Sequence, residues 1–336
     1  MTPMTQVTPV TQVIAPELID LHPEPADLRR LVLQGMASRP RQLPAWLLYD
    51  AEGSRLFDQI CEQPEYSLTR TETALLEELA PELAAALGPG TLVEFGAGNA
   101  RKAGPLLDAL QPAAYVALDI SAEHLAAACE QRQACHPRVP VLGICGDYSA
   151  MARLPAHPLL DGQRRLGFYP GSSIGNFTPA EAQQLLRQFA QLLGADGLLL
   201  IGIDHPKPQA RLEAAYDDAA GVSAAFAKNL LVRLNRDLQG NFDPDQFHYL
   251  ARWQPEQSRI AMALVSRCDQ LVQLAGSSWP FAAGEALISE FSVKYSPEAF
   301  GALAAVAGWR LVRRWSDPGG DLSLVLLAAR DSCQQR

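Results

Sequence analysis

The stretch TLVEFGAGNARK, residues 91–102, constrains the fold of this chain more than any other segment. An apolar run, Thr91–Phe95, ends at a glycine pair, Gly96 and Gly98, and a helical pattern follows. A strand, a glycine turn and a helix in this order open a doubly wound α/β fold. Because glycine has no Cβ, its backbone and the following helix N-terminus can approach a bound group closely. We therefore predict a binding site at this turn.

Strand and helix patterns continue to alternate after the turn. Further strands are predicted at 114–120, 139–148, 164–173 and 197–204, with helices near 101–110, 122–133 and 178–194. Such alternation favours a mostly parallel sheet covered by helices on both faces. A helix over Pro297–Ala307 and two final strands, WRLVRRWS and DLSLVLLAAR, are typical of a hairpin that closes the sheet.

The segment between these two regions follows another pattern. Residues 207–234 predict one long helix, and residues 245–295 predict three alternating strands. We interpret residues 207–295 as an insertion that forms a second, α+β lobe. A cleft between two lobes is a common place for a small-molecule site.

The composition narrows the class of partner. The net charge of −9 over 336 residues includes no run of like charges, so the basic surface typical of nucleic-acid or anionic-lipid binding is absent. The six cysteines and six histidines show neither disulfide rhythm nor metal-ligand spacing, so we predict no metal site. The N-terminus lacks the features of a signal peptide, and no apolar run approaches the roughly 20 residues that span a bilayer. We expect a cytoplasmic monomer that acts on a small molecule.

Two acidic residues indicate which nucleotide the glycine turn would hold. A dinucleotide fingerprint requires a third glycine, but Arg101 occupies that position. Asp119 and Asp147 end the next two predicted strands, where carboxylates can accept hydrogen bonds from a ribose and from an adenine amino group. Either carboxylate alone is more typical of a helix cap. Together with the glycine pair, they favour an adenosine-binding cleft.

The Glu-x-Gly-x-Gly motif with two downstream acids resembles the class I S-adenosylmethionine-dependent methyltransferases. This resemblance implies a Rossmann-like fold and S-adenosylmethionine as the cofactor. It also implies the cofactor-binding residues, which are Glu94, Gly96 and Gly98 on the methionine side, Asp119 at the ribose, Asp147 with the backbone of Tyr148 at the adenine, and Lys102 at the methionyl carboxylate. A solvated helix lysine is an equally good interpretation of Lys102.

Longer stretches narrow the resemblance. The segments LLYDAEGSRLFDQICEQPEYSLTRTE, FGAGNARK, PGSSIGN, YDDAAGVSAAFAKN and SEFSVKYSPE are similar, in order and spacing, to segments of the ergothioneine-pathway L-histidine Nα-methyltransferases. The likeness runs from about Leu43 to Leu327. It implies trimethylation of the histidine α-amino group to N,N,N-trimethylhistidine (hercynine), the first step of ergothioneine biosynthesis.

The same resemblance implies the residues that hold the substrate. Asn176 and Tyr216 would bind the substrate carboxylate. Glu290 and Ser292 would bind the imidazole. The other matches are Tyr49 and Phe57, which we assign to catalysis, and Tyr66, Gly171 and Met262, which we assign to substrate binding.

The chemistry of these residue types agrees with such a substrate. An amide and a phenol donate hydrogen bonds to a carboxylate without a strong counter-charge. A carboxylate beside a hydroxyl can read two imidazole N–H groups. Methyl displacement depends mainly on alignment, and a tyrosine hydroxyl or a water can relay the proton that the amine loses. Aromatic rings tolerate the quaternary ammonium product.

Alternative interpretations stay open from the sequence alone. Asn176 is a common turn residue, and Glu290 with Ser292 also suits the solvated face of a strand. A sibling enzyme would methylate another amino acid such as tryptophan, with smaller apolar residues expected in place of Glu290 and Met262. The missing third glycine disfavours an NAD-dependent oxidoreductase, and the polar pocket disfavours a non-catalytic adenosine-binding protein. The loop Asn99-Ala100-Arg101, where the family usually has Thr-Ser-Glu, departs from the resemblance at the cofactor turn.

Three parts of the chain are therefore expected. Residues 1–20 would be a disordered tail. Residues 21–69 and 207–295 would form the substrate-binding lobe. Residues 70–206 and 296–331 would form the S-adenosylmethionine-binding domain.

Two local patterns predict helix starts in the first part of the lobe. Ser54 is available to cap a helix over Ser54–Cys61. Thr69 and Glu72 have the spacing of a capping box before a helix over Thr71–Leu87.

Overall fold

Helices and strands alternate along most of the chain. The computed structural model describes residues 15–21 and 25–330. Its strands are β1 (Glu17–Asp20), β2 (Arg41–Gln42), β3 (Thr91–Phe95), β4 (Ala114–Asp119), β5 (Val141–Cys145), β6 (Arg165–Tyr169), β7 (Leu198–Asp204), β8 (Phe247–Gln254), β9 (Arg259–Ser266), β10 (Gln270–Leu274), β11 (Ser277–Phe281), β12 (Ala286–Val293), β13 (Trp309–Ser316) and β14 (Leu322–Ala329). Its helices are α1 (Pro25–Ala37), α2 (Ala51–Glu62), α3 (Leu68–Leu87), α4 (Gly104–Leu110), α5 (Ala122–Cys135), α6 (Pro179–Leu193), α7 (Gln209–Tyr216), α8 (Val222–Leu238) and α9 (Pro297–Val306).

The central sheet has the strand order β1-β5-β4-β3-β6-β7-β14-β13. Neighbouring strands from β1 to β7 are parallel, whereas β14 runs antiparallel to both β7 and β13. Consecutive residues such as Leu92 and Val93 lie in different hydrophobic clusters, because the sheet is covered on both faces. This confirms the predicted doubly wound, Rossmann-like α/β fold with a closing hairpin.

The strand order reverses next to β3. The chain moves outward through β4 and β5 and returns to the other side of β3 as β6. In such sheets the crevice beyond the carboxyl ends of the strands, at the point of reversal, is where ligands bind. The glycine turn after β3 and the turn after β6 therefore border the same crevice.

A second, smaller sheet has the order β2-β12-β9-β8. It is antiparallel except for the short β2–β12 pair, and α7 and α8 pack against its strands β8 and β9. We propose that residues 21–69 and 207–295 form a lobe around this sheet, and that residues 70–206 and 296–331 form the main domain.

The first residues of the chain differ from the prediction. Residues 1–14 of the predicted disordered tail lie outside the described residues. Residues Glu17–Asp20 form β1, which pairs in parallel with β5 at one edge of the central sheet. The predicted tail boundary at residue 20 is therefore wrong, because backbone pairing with β5 incorporates this segment into the sheet.

The insertion contains more elements than predicted. The single helix predicted over 207–234 is two helices, α7 and α8. The carboxylate of Asp218 accepts hydrogen bonds from the backbone N–H of Val222 at 2.9 Å and of Ser223 at 2.7 Å, which starts α8 as a separate helix. Five strands, β8 to β12, replace the three predicted, since the hairpin β10–β11 interrupts the smaller sheet.

Both predicted helix starts are wrong. α2 begins three residues before Ser54, because Asp50 accepts a hydrogen bond from the backbone N–H of Gly53 at 2.9 Å. α3 begins at Leu68, and the side chain of Glu72 does not turn back to the helix N-terminus but enters the interior.

The buried carboxylate of Glu72 connects α3 to the central sheet. It accepts hydrogen bonds from the backbone N–H of Gly171, at 2.8 and 3.0 Å to its two oxygens, and from Lys102 Nζ at 2.7 Å. Space for the carboxylate exists because Gly202 on β7 has no side chain. A Cβ at that position would lie 1.9 Å from Glu72 Oε1.

Gly202→Ala should therefore destabilise the protein. The added Cβ would displace the Glu72 carboxylate from its partners, and disrupting a buried charged pair costs about 3 kcal/mol or more. Gly301→Ala is the matched control, because that glycine lies inside α9 with open space around it and alanine favours a helix by about 0.5–1 kcal/mol. Chemical denaturation measures both variants. Equal stability of the two variants would contradict the role given to Gly202.

Candidate active site

One pocket is lined by all nine residues that the sequence analysis assigned to catalysis or substrate binding. They are contributed by the segment around α2, the turn after β6, the end of α7 and the strands β9 and β12. The nine are Tyr49, Phe57, Tyr66, Gly171, Asn176, Tyr216, Met262, Glu290 and Ser292. The fold thus brings together residues from widely separated parts of the chain.

Glu290 reaches the pocket from an irregular point of β12. The ladder with β9 pairs Ile288 with Ala263 and then Glu290 with Met262, so Ser289 is an extra residue on β12. Such a bulge bends a strand and redirects the side chains that follow it. Glu290 therefore lies beside Met262 in the pocket wall, and the solvated-face alternative is excluded because Glu290 is buried.

The carboxyl group of Glu290 has two partners in the pocket. Its Oε1 accepts a hydrogen bond from Asn176 Nδ2 at 2.8 Å and a longer one from the Tyr49 hydroxyl at 3.4 Å. Burial raises the pKa of Glu290 to about 8, although the Tyr49 hydrogen bond and the positive charge of Lys294 act in the opposite direction. Glu290 can therefore gain or lose a proton near neutral pH.

A completely buried lysine lies behind Tyr216 and Ser292. Lys294 Nζ donates hydrogen bonds to the Tyr216 hydroxyl at 2.6 Å and to Ser292 Oγ at 2.8 Å, and it lies 2.7 Å from Asp204 Oδ2. The Tyr216 and Ser292 hydroxyls are themselves hydrogen-bonded at 2.7 Å. The other oxygen of Asp204 binds Lys207.

The charged groups of this cluster stabilise one another in their ionised forms. Burial alone would raise the pKa of Asp204, but the ammonium groups of Lys294 and Lys207 outweigh it and hold this pKa below its usual value. Burial alone would lower the pKa of Lys294, but Asp204 outweighs it and holds this pKa above its usual value. Both members of the Lys294–Asp204 pair are therefore ionised at neutral pH.

Aromatic rings form the opposite wall of the pocket. The Tyr49 ring lies edge-on to Phe57 at 5.5 Å and to Phe226 at 5.3 Å between ring centroids. Tyr66 lies edge-on to Tyr216 at 5.8 Å. Burial, followed by the nearby Glu290, raises the pKa of Tyr49 well above its usual value, so its hydroxyl keeps its proton at neutral pH.

The glycine turn after β3 lies at the carboxyl end of a central strand. Gly96 and Gly98 have φ angles of 70° and 54°, which residues with a side chain disfavour. The backbone N–H of Gly98 donates to Asp119 Oδ2 at 2.8 Å, so the turn is tied to the end of β4. A Cβ on Gly98 would meet no atom within 4 Å, so this backbone borders open space.

Glu94 lies below this turn. Its carboxyl group is buried and accepts a hydrogen bond from the Tyr115 hydroxyl, whereas Oε1 has no hydrogen-bond partner among the described residues. Burial raises the pKa of Glu94 to about 8. An unpartnered carboxyl oxygen beside open glycine backbone fits a group that brings a hydrogen-bond donor, such as the amino or hydroxyl groups of an adenosyl amino acid.

Asp147 and Tyr148 follow β5 on the same side of the sheet. Asp147 Oδ1 accepts hydrogen bonds from the backbone N–H of Ser149 at 2.8 Å and from its hydroxyl at 2.6 Å, which leaves Oδ2 for another donor. The Tyr148 hydroxyl shares a hydrogen bond with Tyr169 at 3.1 Å. It would lie 3.4 Å from a Cβ on Gly96, so the Tyr148 side chain borders the glycine turn.

Lys102 lies where the glycine turn meets the pocket. Its ammonium group pairs with Glu72, and its side chain is only 18% exposed, which excludes a solvated helix lysine. Its Nζ would lie 3.3 Å from a Cβ on Gly171, which lines the pocket. The predicted cofactor residues and the predicted substrate residues therefore adjoin at Gly171.

Several residues of the site were missed by the sequence analysis. Lys294 follows β12 directly and continues the two-residue spacing of Glu290 and Ser292, but a charged residue at a strand end equally suits a solvated position. Asp204 ends β7, as Asp119 ends β4, so its position at a strand end could also have indicated a site residue. Glu72 was interpreted as a helix cap, and Phe226 gave no signal beyond an apolar helix position.

Two kinds of feature are absent from residues 15–21 and 25–330. No helix there is long and apolar enough to cross a membrane. No group of three or more histidine, cysteine, aspartate or glutamate side chains is arranged to hold a metal ion.

Comparisons with known proteins agree with this geometry. A sequence model described as histidine-specific, S-adenosylmethionine-dependent methyltransferase matches residues 28–329. Histidine N-alpha-methyltransferase of Mycolicibacterium smegmatis is 41% identical over 306 residues, covering 89% of this chain and 94% of the relative. The protein of the same name from Mycobacterium tuberculosis is 39% identical over 308 residues, covering 90% and 94%.

A longer fungal relative shares the same region. Ergothioneine biosynthesis protein 1 of Neurospora crassa is 31% identical over 308 residues, which covers 86% of this chain and 33% of that protein. Matches of this extent, over nearly all the residues that build the sheet, the turn and the pocket, establish the family. This chain belongs to the histidine-specific, S-adenosylmethionine-dependent methyltransferases.

Proposed function

We propose that this protein methylates the α-amino nitrogen of L-histidine three times with S-adenosylmethionine, giving hercynine in the first step of ergothioneine biosynthesis. The observation that carries the proposal is the convergence of Glu290, Ser292, Asn176 and Tyr216 on one aromatic-walled pocket that adjoins the cofactor turn. The names of the bacterial and fungal relatives support the same substrate and pathway.

Glu290 and Ser292 would read the imidazole ring. In the free protein near pH 7 the Glu290 carboxyl keeps its proton, since burial raises its pKa to about 8. A histidine with a neutral ring can take up that proton, and both ring N–H groups then have acceptors, Glu290 and Ser292. A ring without two N–H groups would leave one of these buried acceptors unpaired, which is a strong basis for selectivity.

Asn176 and Tyr216 would hold the carboxylate of the substrate. Asn176 has one amide N–H on Glu290 and a second one available, so it can connect the ring acceptor to the carboxylate. Tyr216 ends α7, and its hydroxyl is fixed by Ser292 and Lys294. These contacts would orient the α-amino nitrogen toward Gly171 and the cofactor turn.

The bound cofactor supplies an electrophilic methyl carbon on a sulfonium. Asp119 would hold its ribose, Asp147 and Tyr148 its adenine, and Lys102 its carboxylate, with Glu94 and the glycine turn beside the methionine part. The protein then contributes alignment and the exclusion of water, because no covalent enzyme intermediate is needed.

Tyr49 would relay the proton that the amine loses. Its own pKa is too high for it to act as an ionised base, but its hydroxyl can accept a proton while it donates its own toward Glu290 Oε1. Phe57, Tyr66 and Phe226 surround this end of the pocket, and aromatic faces attract the growing cationic character of the methylated amine.

The same residues bear on the alternative substrates and reactions. Glu290 and Met262 both line the pocket, so a site for a larger apolar amino acid has no support here. The family of this chain, a methyltransferase family, gives no support to an NAD-dependent oxidoreductase. The acidic balance without a basic run supports action on free histidine rather than on a polyanion, and we propose a cytoplasmic monomer.

Purified protein incubated with S-adenosylmethionine and L-histidine should yield products with one, two and three added methyl groups. Mass spectrometry of the reaction measures them, and a panel of the other amino acids provides the comparison. Methylation of another amino acid with histidine untouched would disprove the substrate assignment and leave the fold unaffected.

Histidine affinity should be highest between pH about 6.5 and about 8. Below this range free histidine already carries its ring proton, so the proton on Glu290 must leave. Above this range Glu290 has already lost the proton that it would pass to the histidine ring. Calorimetric titration of L-histidine with S-adenosylhomocysteine bound measures the profile.

Glu290→Gln should abolish the upper limb of that profile, because its amide does not titrate. It should also weaken histidine binding about 10-fold or more while S-adenosylhomocysteine binding is kept. Equal losses for both ligands would point to a role of Glu290 in folding.

Tyr49→Phe should lower kcat about 100-fold with little change in cofactor binding, since general acid–base groups typically contribute that much. Tyr295→Phe is the matched control, because the Tyr295 hydroxyl is buried outside the pocket and has no hydrogen-bond partner among the described residues. Steady-state kinetics compares the two. An unchanged kcat in Tyr49→Phe would exclude the relay.

A further inference from the structure

Lys294 carries a buried charge that the proposed function does not use. Its side chain is 0% exposed, and its three N–H groups are all engaged, by Asp204, Tyr216 and Ser292. An ammonium loses its hydration on burial, and here the ion pair with Asp204 and the two hydroxyl contacts offset that cost. The pocket lies on the far side of the two hydroxyls that Lys294 contacts.

The cluster around Lys294 has an unbalanced positive charge. Two ammonium groups, those of Lys294 and Lys207, share the single carboxylate of Asp204. Lys207 binds Asp204 Oδ1 and the backbone carbonyl of His205, away from the pocket hydroxyls. The side of the cluster that faces the pocket is therefore Lys294 with Tyr216 and Ser292, and its net charge favours an anion.

The hydrogen bonds also fix how many protons the hydroxyls can offer. Lys294 donates to both oxygens, so each oxygen has already accepted one hydrogen bond. One of the two hydroxyl protons lies in the Tyr216–Ser292 hydrogen bond. One O–H is therefore left, and it can be donated into the pocket. At least one ligand group in front of this pair must therefore be a hydrogen-bond acceptor.

We propose that Lys294 is a positioning residue that makes this pocket select a substrate carboxylate, with Tyr216 as the contact between the two. The proposal rests on the proposed function, because it takes the carboxylate to be that of L-histidine. Lys294 supplies the positive charge that the Asn176 amide and the Tyr216 phenol lack by themselves. A hydrogen bond to an anion is strengthened by positive charge behind the donor.

The same arrangement couples the two ends of the substrate. When the Tyr216 hydroxyl donates a hydrogen bond to the carboxylate, the Ser292 hydroxyl must be the donor in the Tyr216–Ser292 hydrogen bond. Ser292 Oγ then keeps one lone pair, which can accept a ring N–H. Binding of the carboxylate thereby orients the Ser292 hydroxyl so that its oxygen can accept a hydrogen bond from the imidazole. A ligand without a carboxylate does not fix this orientation.

The test compares L-histidine with histamine, which has the ring and the amine but no carboxylate. Both are titrated by calorimetry into the full chain with S-adenosylhomocysteine bound. Lys294→Met should reduce the ratio of histidine to histamine affinity about 10-fold or more, by weakening histidine while histamine binding is kept.

Lys207→Met is the matched control. It removes the other ammonium from the same buried carboxylate, but Lys207 contacts neither pocket hydroxyl. It should change the affinity ratio much less than Lys294→Met does, because the ammonium that it removes lies behind Asp204 and not against the pocket hydroxyls. If Lys294→Met does not fold, as judged by circular dichroism, Lys294→Gln is measured instead, because glutamine keeps a donor and removes the charge.

An unchanged ratio in the folded Lys294 variant, or equal changes in the Lys294 and Lys207 variants, would overturn the proposal. In either case wild-type protein still binds and methylates histidine, so the proposed function stands. Wild-type protein that neither binds nor methylates histidine would overturn the proposed function and this inference together.

Discussion

The buried carboxylate of Glu72 is the contact on which the arrangement of the site depends. It binds the backbone of Gly171, which lines the pocket, and the ammonium of Lys102, which follows the glycine turn. The proposed cofactor and substrate would meet between Gly171 and Lys102. Desolvation of a carboxylate costs several kcal/mol, so its partners must stay in place for the group to remain buried. In the proposed complex the separation of cofactor and substrate would in this way depend on Glu72 of α3, an element outside both sites.

The main features of the fold were predictable because they are local. The apolar run Thr91–Phe95 predicts a strand, and the glycines that follow it predict where the strand ends, so both signals lie within a few residues. The strand β1 and the helix break before α8 were not predictable in this way. Glu17–Asp20 becomes a strand only because β5 offers a free edge, and Asp218 ends one helix by capping the next.

The site was only partly predictable from the sequence. The nine pocket residues came from a family resemblance, and no local pattern would have assembled them. Glu72 was misinterpreted because its true partner, Gly171, is 99 positions away, so the nearby capping-box spacing gave the wrong answer. Lys294 was overlooked because a charged residue at the end of a strand looks solvated until its partner Asp204 is known.

The alternation along β12 has a consequence for how such a site can change. In the proposed complex Glu290 would face the substrate ring, whereas Lys294, four positions further, would act on the substrate carboxylate through Tyr216, with Ser292 between the two. Recognition of the substrate side chain and of its amino-acid end would thus depend on different positions of β12 and the residue after it. Exchange of Glu290 alone can retune the first while the second is retained. An amino-acid-binding site of this kind would accept a different substrate side chain without a change in the scaffold.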